Sequence, residues 1–397
     1  MKKRILMANA NPHFSFSDKN SAVANYLNSV KELLDGAGYE ITLFPHRSSG
    51  TTSPVQSRTR GLIRVAKKLL KTNLPFLYHS LVDYSNLLKT NRAHRKIIQN
   101  CSPDITLEFL SFFGMAGYLL KKNNNIPYIL IYDAPLAEQY KEMSGAGSLL
   151  LDAIRQRETL SVQHADAIIC YSNAVVNYLT HKYNIDKNRC TVLPTISHHR
   201  LTVKKRSATG FVITIGFIGS FLKYHKPEIL IAVFEDLCKI FHNLKLCLIG
   251  YGECWHDIDA VVRKSPVKDK IFLPGFVSDS ELEDFKQLFD IAVIPSSNWY
   301  GSPMKLFEYA ALGIPVVAPA TPTIKEIFKD KEEVLLFTDN NSRQMIFNYV
   351  RELIENDALR IQIGKNGFHA LKKRYSETVY HATLHQTISS VLNQRIS

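Results

Sequence analysis

No run of about 18 apolar residues occurs, so no segment is expected to span a membrane. The six cysteines (Cys101, Cys170, Cys190, Cys238, Cys247 and Cys254) are scattered, and no pair has metal-ligand spacing. A reduced, cytoplasmic protein is the expectation. The loop after the first predicted strand carries no Gly-x-Gly-x-x-Gly, which argues against a dinucleotide-binding dehydrogenase. Walker loop, nucleophile elbow, Cys-x-x-Cys pair, internal repeat and low-complexity tract are all missing. The start, MKKRILMANANPH, has a basic head but too short an apolar run for a signal peptide, and reads as a first strand. Asp257-Ile258-Asp259 has the form of a metal-binding pair, but it lies in a predicted helix, where i and i+2 do not share a face. His198-His199 lacks a third ligand. No metal site is expected.

What is present is ordinary globular material, 45% hydrophobic and 21% charged over 397 residues, too long for one core and sufficient for two domains. The formal net charge of +13 invites acidic partners: nucleotides, anionic lipid surfaces or nucleic acid. With no known binding module, and acidic residues near Glu281 to Asp284, nucleic acid is not expected. From Arg58 to Lys71 the chain is basic and helical in pattern, with Leu62, Val65 and Leu69 on one side. Such a helix suits an anionic membrane surface, each Lys or Arg contributing about 1 kcal/mol. The alternative is a domain helix with a solvated basic face.

Strand and helix patterns alternate from the start. Arg4–Ala8 reads as a buried strand, a helix capped by Ser21 follows, and Ile41–Phe44 is the second strand, a βαβ opening that predicts a parallel sheet. Asp104–Phe109, Pro127–Tyr132, Asp166–Tyr171 and Cys190–Leu193 continue it, and polar residues 197–210 read as a linker. The alternation restarts at Phe211–Ile218, then Leu244–Ile249, Ile271–Val277, Ile291–Pro295 and Glu333–Phe337, with helices to Asn393. Open α/β sheets bind ligands at strand C-terminal ends. That is where Glu108, Asp133 and the loops beginning Gly219-Ser220, Gly250-Tyr251-Gly252 and Gly275 lie.

The most informative stretch is Trp299–Pro319, WYGSPMKLFEYAALGIPVVAP. Ser302 is a good N-cap and Pro303 suits the first helical position; Gly313 stops the helix before a buried strand. The Gly301-Ser302-Pro303 turn is expected to aim backbone N–H groups and the positive end of the helix dipole at a phosphate. Glu308, five residues beyond Pro303, lies about 7.5 Å further along at about 1.5 Å per residue. That spacing fits a diphosphate at the helix tip with its ribose behind, both ribose hydroxyls donating to the carboxylate. The alternative is a plain helix acid paired with Lys305.

This block resembles the signature of family 4 glycosyltransferases: Glu-x7-Glu at a helix start followed by Gly-x-Pro-Val-Val-Ala. The second glutamate falls on Glu308, whereas Tyr300 stands where the first is usual. PDITLEFLSFFGMAGYLL, YILIYDAPLAEQY, HADAIICYSNAVVNYL and KKRYS are similar to other segments of the family. The resemblance implies an α/β protein of two Rossmann-like doubly wound domains facing a cleft, the GT-B fold: an acceptor domain over 1–200, a donor domain over 208–375 and a returning C-terminal helix over 376–397. It further implies metal-independent hexosyl transfer, with retention, from a nucleoside-diphosphate sugar to a glycan or lipid-linked hydroxyl in polysaccharide or cell-envelope synthesis. No cofactor is implied.

For the donor, the resemblance points to Gly219, Ser220, His225, Lys226, Gly250, Gly252, Val277, Tyr300, Gly301, Ser302, Pro303, Lys305, Leu306 and Glu308. His225, Lys226 and Lys305 would neutralise the diphosphate. Asp133, Lys305 and Glu308 are the catalytic candidates, and Asp18, Glu108 and Asp133 those for the acceptor. A histidine common in the family near Tyr132-Asp133 is missing. Asp133 therefore also reads as a loop aspartate that turns the backbone, and the basic loop after Gly219 as a solvated one. Two rival functions fit the same residues: a GT-B sugar-nucleotide epimerase, and a degenerate transferase serving as a partner subunit.

Overall fold

The computed structural model describes residues 2–9, 14–17, 22–44, 75–144, 150–195, 212–338 and 342–394. The expectations at Asp18 and Ser21, over Arg58–Lys71 and for the 197–210 linker lie outside the described residues. The chain divides into two compact units, Met1–Leu193 with His381–Ser397, and Pro194–Tyr380. No described helix is long and apolar enough to cross a membrane.

The first unit holds β1 (Arg4–Ala8), β2 (Glu40–Phe44), β3 (Ile105–Phe109), β4 (Tyr128–Tyr132), β5 (Ala167–Cys170) and β6 (Cys190–Val192). They form one parallel sheet in the order β2-β1-β3-β4-β5-β6. Parallel strands need crossovers, supplied here by helices, so the middle strands are covered on both faces. That is why ITLEF and YILIY read as continuous buried runs, with every residue of β3 and β4 enclosed.

The second unit repeats the plan with β7 (Ile213–Ile218), β8 (Leu244–Ile249), β9 (Ile271–Gly275), β10 (Ile291–Val293), β11 (Val316–Pro319) and β12 (Leu335–Phe337), in the order β12-β11-β10-β7-β8-β9. Alternate side chains enter two cores on opposite faces. Leu246, Leu248, Ile291 and Val293 pack on one side, and Cys247, Ile249, Ala292 and Ile294 on the other. The strand order reverses between β7 and β10, neighbours in space. The loops that follow these two strands flank the crevice in which open α/β sheets bind ligands.

The expected strands are all present, most of them a residue or two shorter, since twist and loop geometry trim the ends of apolar runs. Ile271–Val277 ends at Gly275, whose φ of +78° turns the chain out of the sheet.

Candidate active site

Two loops meet at the second unit's switch point. The one after β10 runs into a helix over Met304–Ala311, with Pro303 at the N-cap. Leu306, Phe307, Tyr309, Ala310 and Ala311 bury their side chains against the sheet, and the Ile218 N–H donates to the Tyr309 hydroxyl at 2.8 Å. The helix is thereby fixed to the end of β7. The one after β7 begins at Gly219, whose N–H donates to the Ile249 carbonyl at 3.0 Å. Gly250 has φ +139°, and a Cβ there would lie 1.9 Å from the Gly219 carbonyl oxygen. The two strand ends approach this closely only because Gly250 has no side chain.

Lys305 joins the loops. Its Nζ lies 3.4 Å from His225 Nε2 and 4.7 Å from the centre of the Phe217 ring, and a Cβ on Gly219 would meet it at 2.4 Å. Enclosure pushes the Lys305 ammonium down to about 8, with Glu308 pulling the other way. His225 is 7% exposed, and burial, then the Lys305 charge, hold it down at about 3, so it is neutral at physiological pH. Its Nδ1 contacts the Ser220 carbonyl, which can only accept. The proton therefore sits on Nδ1, and Nε2 accepts from Lys305. The expected cationic His225 is corrected: buried and neutral, it carries no charge of its own and accepts from Lys305. Ser220 and Lys226 are exposed beside it, Lys226 with φ +47° at the start of the next helix, Pro227–Cys238.

Several expected contacts are also corrected. Ser302 is not the cap: its Oγ accepts from the Thr195 N–H at 3.3 Å and lies 2.9 Å from the Thr195 hydroxyl, moving the helix start one residue on. The Gly301 N–H is taken by Asn298 Oδ1 at 2.9 Å, and Pro303 has none, so neither offers an amide to phosphate. Leu306 is 1% exposed and its N–H donates to the Pro303 carbonyl at 2.9 Å. Tyr300 is 5% exposed and its ring packs edge-on against Trp299 at 5.5 Å, so it is an enclosed aromatic where the family pattern has a carboxylate. The remaining donor candidates keep their places at the strand ends without being corrected: Gly250 donates its N–H to the Gly275 carbonyl, Gly252 packs against the Phe221 backbone, and the Val277 side chain leans on the core below the helix.

What the helix tip keeps is the set of amides at Met304 and Lys305, which by helix geometry have no intrahelical acceptor. Among the described residues no side chain caps this helix, whereas Ser278 and Thr321 cap the helices that follow β9 and β11. Behind the tip, Glu308 is 16% exposed and its Oε2 lies 3.5 Å from the Nζ of Lys286. The alternative reading of Glu308 as a helix acid pairs it with Lys305; the ion-pair contact seen here is with Lys286, a lysine 22 residues away that only the fold brings near.

In the first unit, Glu108 is fully buried and accepts the N–H groups of Ala116 and Gly117, both at 2.8 Å. Burial raises it to about 7 against the pull of those two bonds. It is a helix cap turned inward, not a group open to an acceptor. Glu158, unforeseen from sequence, does the same for Leu136 and Ala137, at 3.1 and 3.0 Å, and also accepts from the Tyr132 hydroxyl at 2.7 Å. Asp133, partly exposed at the end of β4, is raised to about 6 by desolvation, opposed by a hydrogen bond with Tyr171. A cavity of about 820 Å³ lies at the opposite, N-terminal edge of this sheet, where Lys121 pairs with Asp166 at 2.7 Å. It does not coincide with the strand ends that carry Glu108 and Asp133.

Two parallel six-stranded α/β units define the class, that of the GT-B glycosyltransferases. The structure of sucrose-phosphate synthase from Thermosynechococcus elongatus superposes with a TM-score of 0.75 over 99% of this chain and 100% of that one, at 16% identity. Anabaena HepE in complex with UDP-glucose gives 0.69 over 98% and 100%, at 14% identity. The chain covers 59% of the longer Staphylococcus aureus TarM, with a TM-score of 0.61 over 78% of this chain at 15% identity. In sequence, residues 204–370 match the glycosyl transferases group 1 family and residues 23–196 match glycosyltransferase family 4. An uncharacterised glycosyltransferase of Methanocaldococcus jannaschii is 28% identical over 311 residues, 77% of this chain and 81% of that protein. The chain belongs to the group 1, family 4 glycosyltransferases.

Proposed function

We propose that the protein moves a hexosyl group from a nucleoside-diphosphate sugar to a hydroxyl of a glycan or lipid-linked acceptor, with retention and without metal or cofactor. The observation that carries the donor reading is the sequence of groups along one helix: an uncapped tip, Lys305 beside it and Glu308 a turn behind. The tip amides, Lys305 and the exposed Lys226 meet the diphosphate. They stabilise the charge it gains as the glycosidic bond breaks. Glu308 accepts from the ribose hydroxyls. Asp133 remains the acceptor-side candidate, raised into the range where a carboxyl exchanges protons near neutrality.

Complexes of HepE with UDP-glucose and of TarM with UDP, both of this fold, support a uridine nucleotide as the first donor to try. A role in polysaccharide or cell-envelope synthesis at the inner face of the cytoplasmic membrane, with Arg58–Lys71 as the contact, belongs to the same proposal.

The test is isothermal titration with UDP and GDP. Glu308→Ala is expected to weaken the tighter of the two by about 1.5–3 kcal/mol, the range for hydrogen bonds to a charged group. Unchanged affinity in a folded variant sinks the assignment. Incubating donor with no acceptor then separates slow hydrolysis by a transferase from rapid release by an epimerase, and no turnover of any donor marks a binding partner.

A further inference from the structure

We propose that Lys286 is a positioning residue for the donor, holding the Glu308 carboxylate in the one orientation that meets the ribose diol. This rests on the reading of Glu308 above. Lys286 ends the helix Asp279–Lys286, whose Leu282 and Phe285 lean on the core beneath the Met304–Ala311 helix. Its side chain is 1% exposed, a depth at which lysine is found only with a charged partner. Two carboxylates are in reach, Glu283 one turn back on the same helix and Glu308 across from it.

They are not equivalent. Glu283 is 51% exposed, so water screens its attraction. Glu308 is 16% exposed and comes from another helix, so the buried charge acts on it through a less polar medium.

An unrestrained glutamate samples several rotamers, and binding must then freeze them. Accepting from two vicinal hydroxyls also demands a fixed carboxylate plane. Lys286 meets both needs before any ligand arrives, since the fold itself buries its ammonium against Oε2. Lys305 is placed differently: it feels the Glu308 charge, but its ammonium is turned toward His225, Phe217 and Gly219, the diphosphate side. The two lysines thus divide the nucleotide, one for the phosphates and one, through Glu308, for the sugar.

The readout is the preference for UDP over 2′-deoxy-UDP, or for GDP over 2′-deoxy-GDP if the guanine nucleotide binds more tightly, measured by titration calorimetry. The intact protein is expected to favour the ribonucleotide by about tenfold or more. Lys286→Met should bring the ratio close to one, Lys286→Arg should keep most of it, and Lys286→Met should cost nothing further in a Glu308→Ala background. A folded Lys286→Met protein that keeps the full preference overturns the proposal, as does additivity of the two substitutions. If Glu308→Ala itself leaves the preference intact, the ribose reading falls, and a different failure has been recorded. Should Lys286→Met not fold, Lys286→Gln carries the same comparison. A lysine that merely ties two helices together would shift the melting temperature and leave the ribose ratio alone.

Discussion

An ammonium held over Phe217 and beside a neutral imidazole titrates early, and the sign of the consequence differs for binding and for folding. Lys305 sits at about 8, below the ordinary lysine value of 10.5. Between those limits the unfolded chain binds the extra proton and the folded chain does not, so folding stability gains as pH rises through the window. A diphosphate wants the charged form, so its binding weakens over the same window. UDP affinity should fall above pH 8 with a slope approaching about one log unit per pH unit, as one proton is taken up on binding. In Lys305→Met the slope should vanish; calorimetry from pH 7 to 9.5 checks both. A slope that persists in Lys305→Met assigns it to another group.

At this scale sequence reading put Lys305 and Glu308 on one helix, which the fold has, because they share one contiguous helix start. It misjudged Ser302 and did not find Lys286, because Thr195 and the Asp279–Lys286 helix reach them from far along the chain. It read His225 as a cation because charge depends on burial, which a linear pattern does not carry.

Among the elements, the helix starts at the strand ends fall into two kinds. In the first unit, Glu108 and Glu158 reach across to cap the helices that follow β3 and β4, answering the helix dipole from inside. In the second, the helices entered from Lys226 and Pro303 carry no side-chain cap. The second unit thus leaves helix starts open at its switch point, while the first fills those two positions with buried carboxylates. Strand positions were legible because buried parallel strands leave continuous apolar runs. The caps were not, since Glu158 serves residues more than twenty positions before it. Glu158→Gln replaces one accepting oxygen by a donor, facing either Tyr132 and Leu136 or Ala137. It should cost about 1–3 kcal/mol, the penalty for leaving buried donors unmet, seen as a lower urea midpoint. UDP affinity should not change, because every proposed donor group lies in the other unit. A weakened affinity with an unmoved midpoint would contradict this division.

For the molecule as a whole, the chain leaves its first unit near Leu193 and re-enters it at His381, so one helix, Glu377–Asn393, belongs to both. Its Tyr380 lies in the second unit and its Leu384, Ile388 and Val391, 1%, 1% and 4% exposed, in the first. Each unit has its own sheet and core, so each can give its own unfolding transition, and only the donor-binding one should respond to nucleotide. A ligand at about 100 times its dissociation constant adds roughly 2.7 kcal/mol to the unit that binds it. Leu384→Ala empties a buried site in the first unit and should cost about 2–5 kcal/mol there. Calorimetric scans with and without UDP should therefore show the nucleotide-insensitive transition moving down while the sensitive one stays. Were the sensitive transition to fall instead, the returning helix would be holding up the donor unit, and the assignment of its C-terminal half to the first core would be wrong.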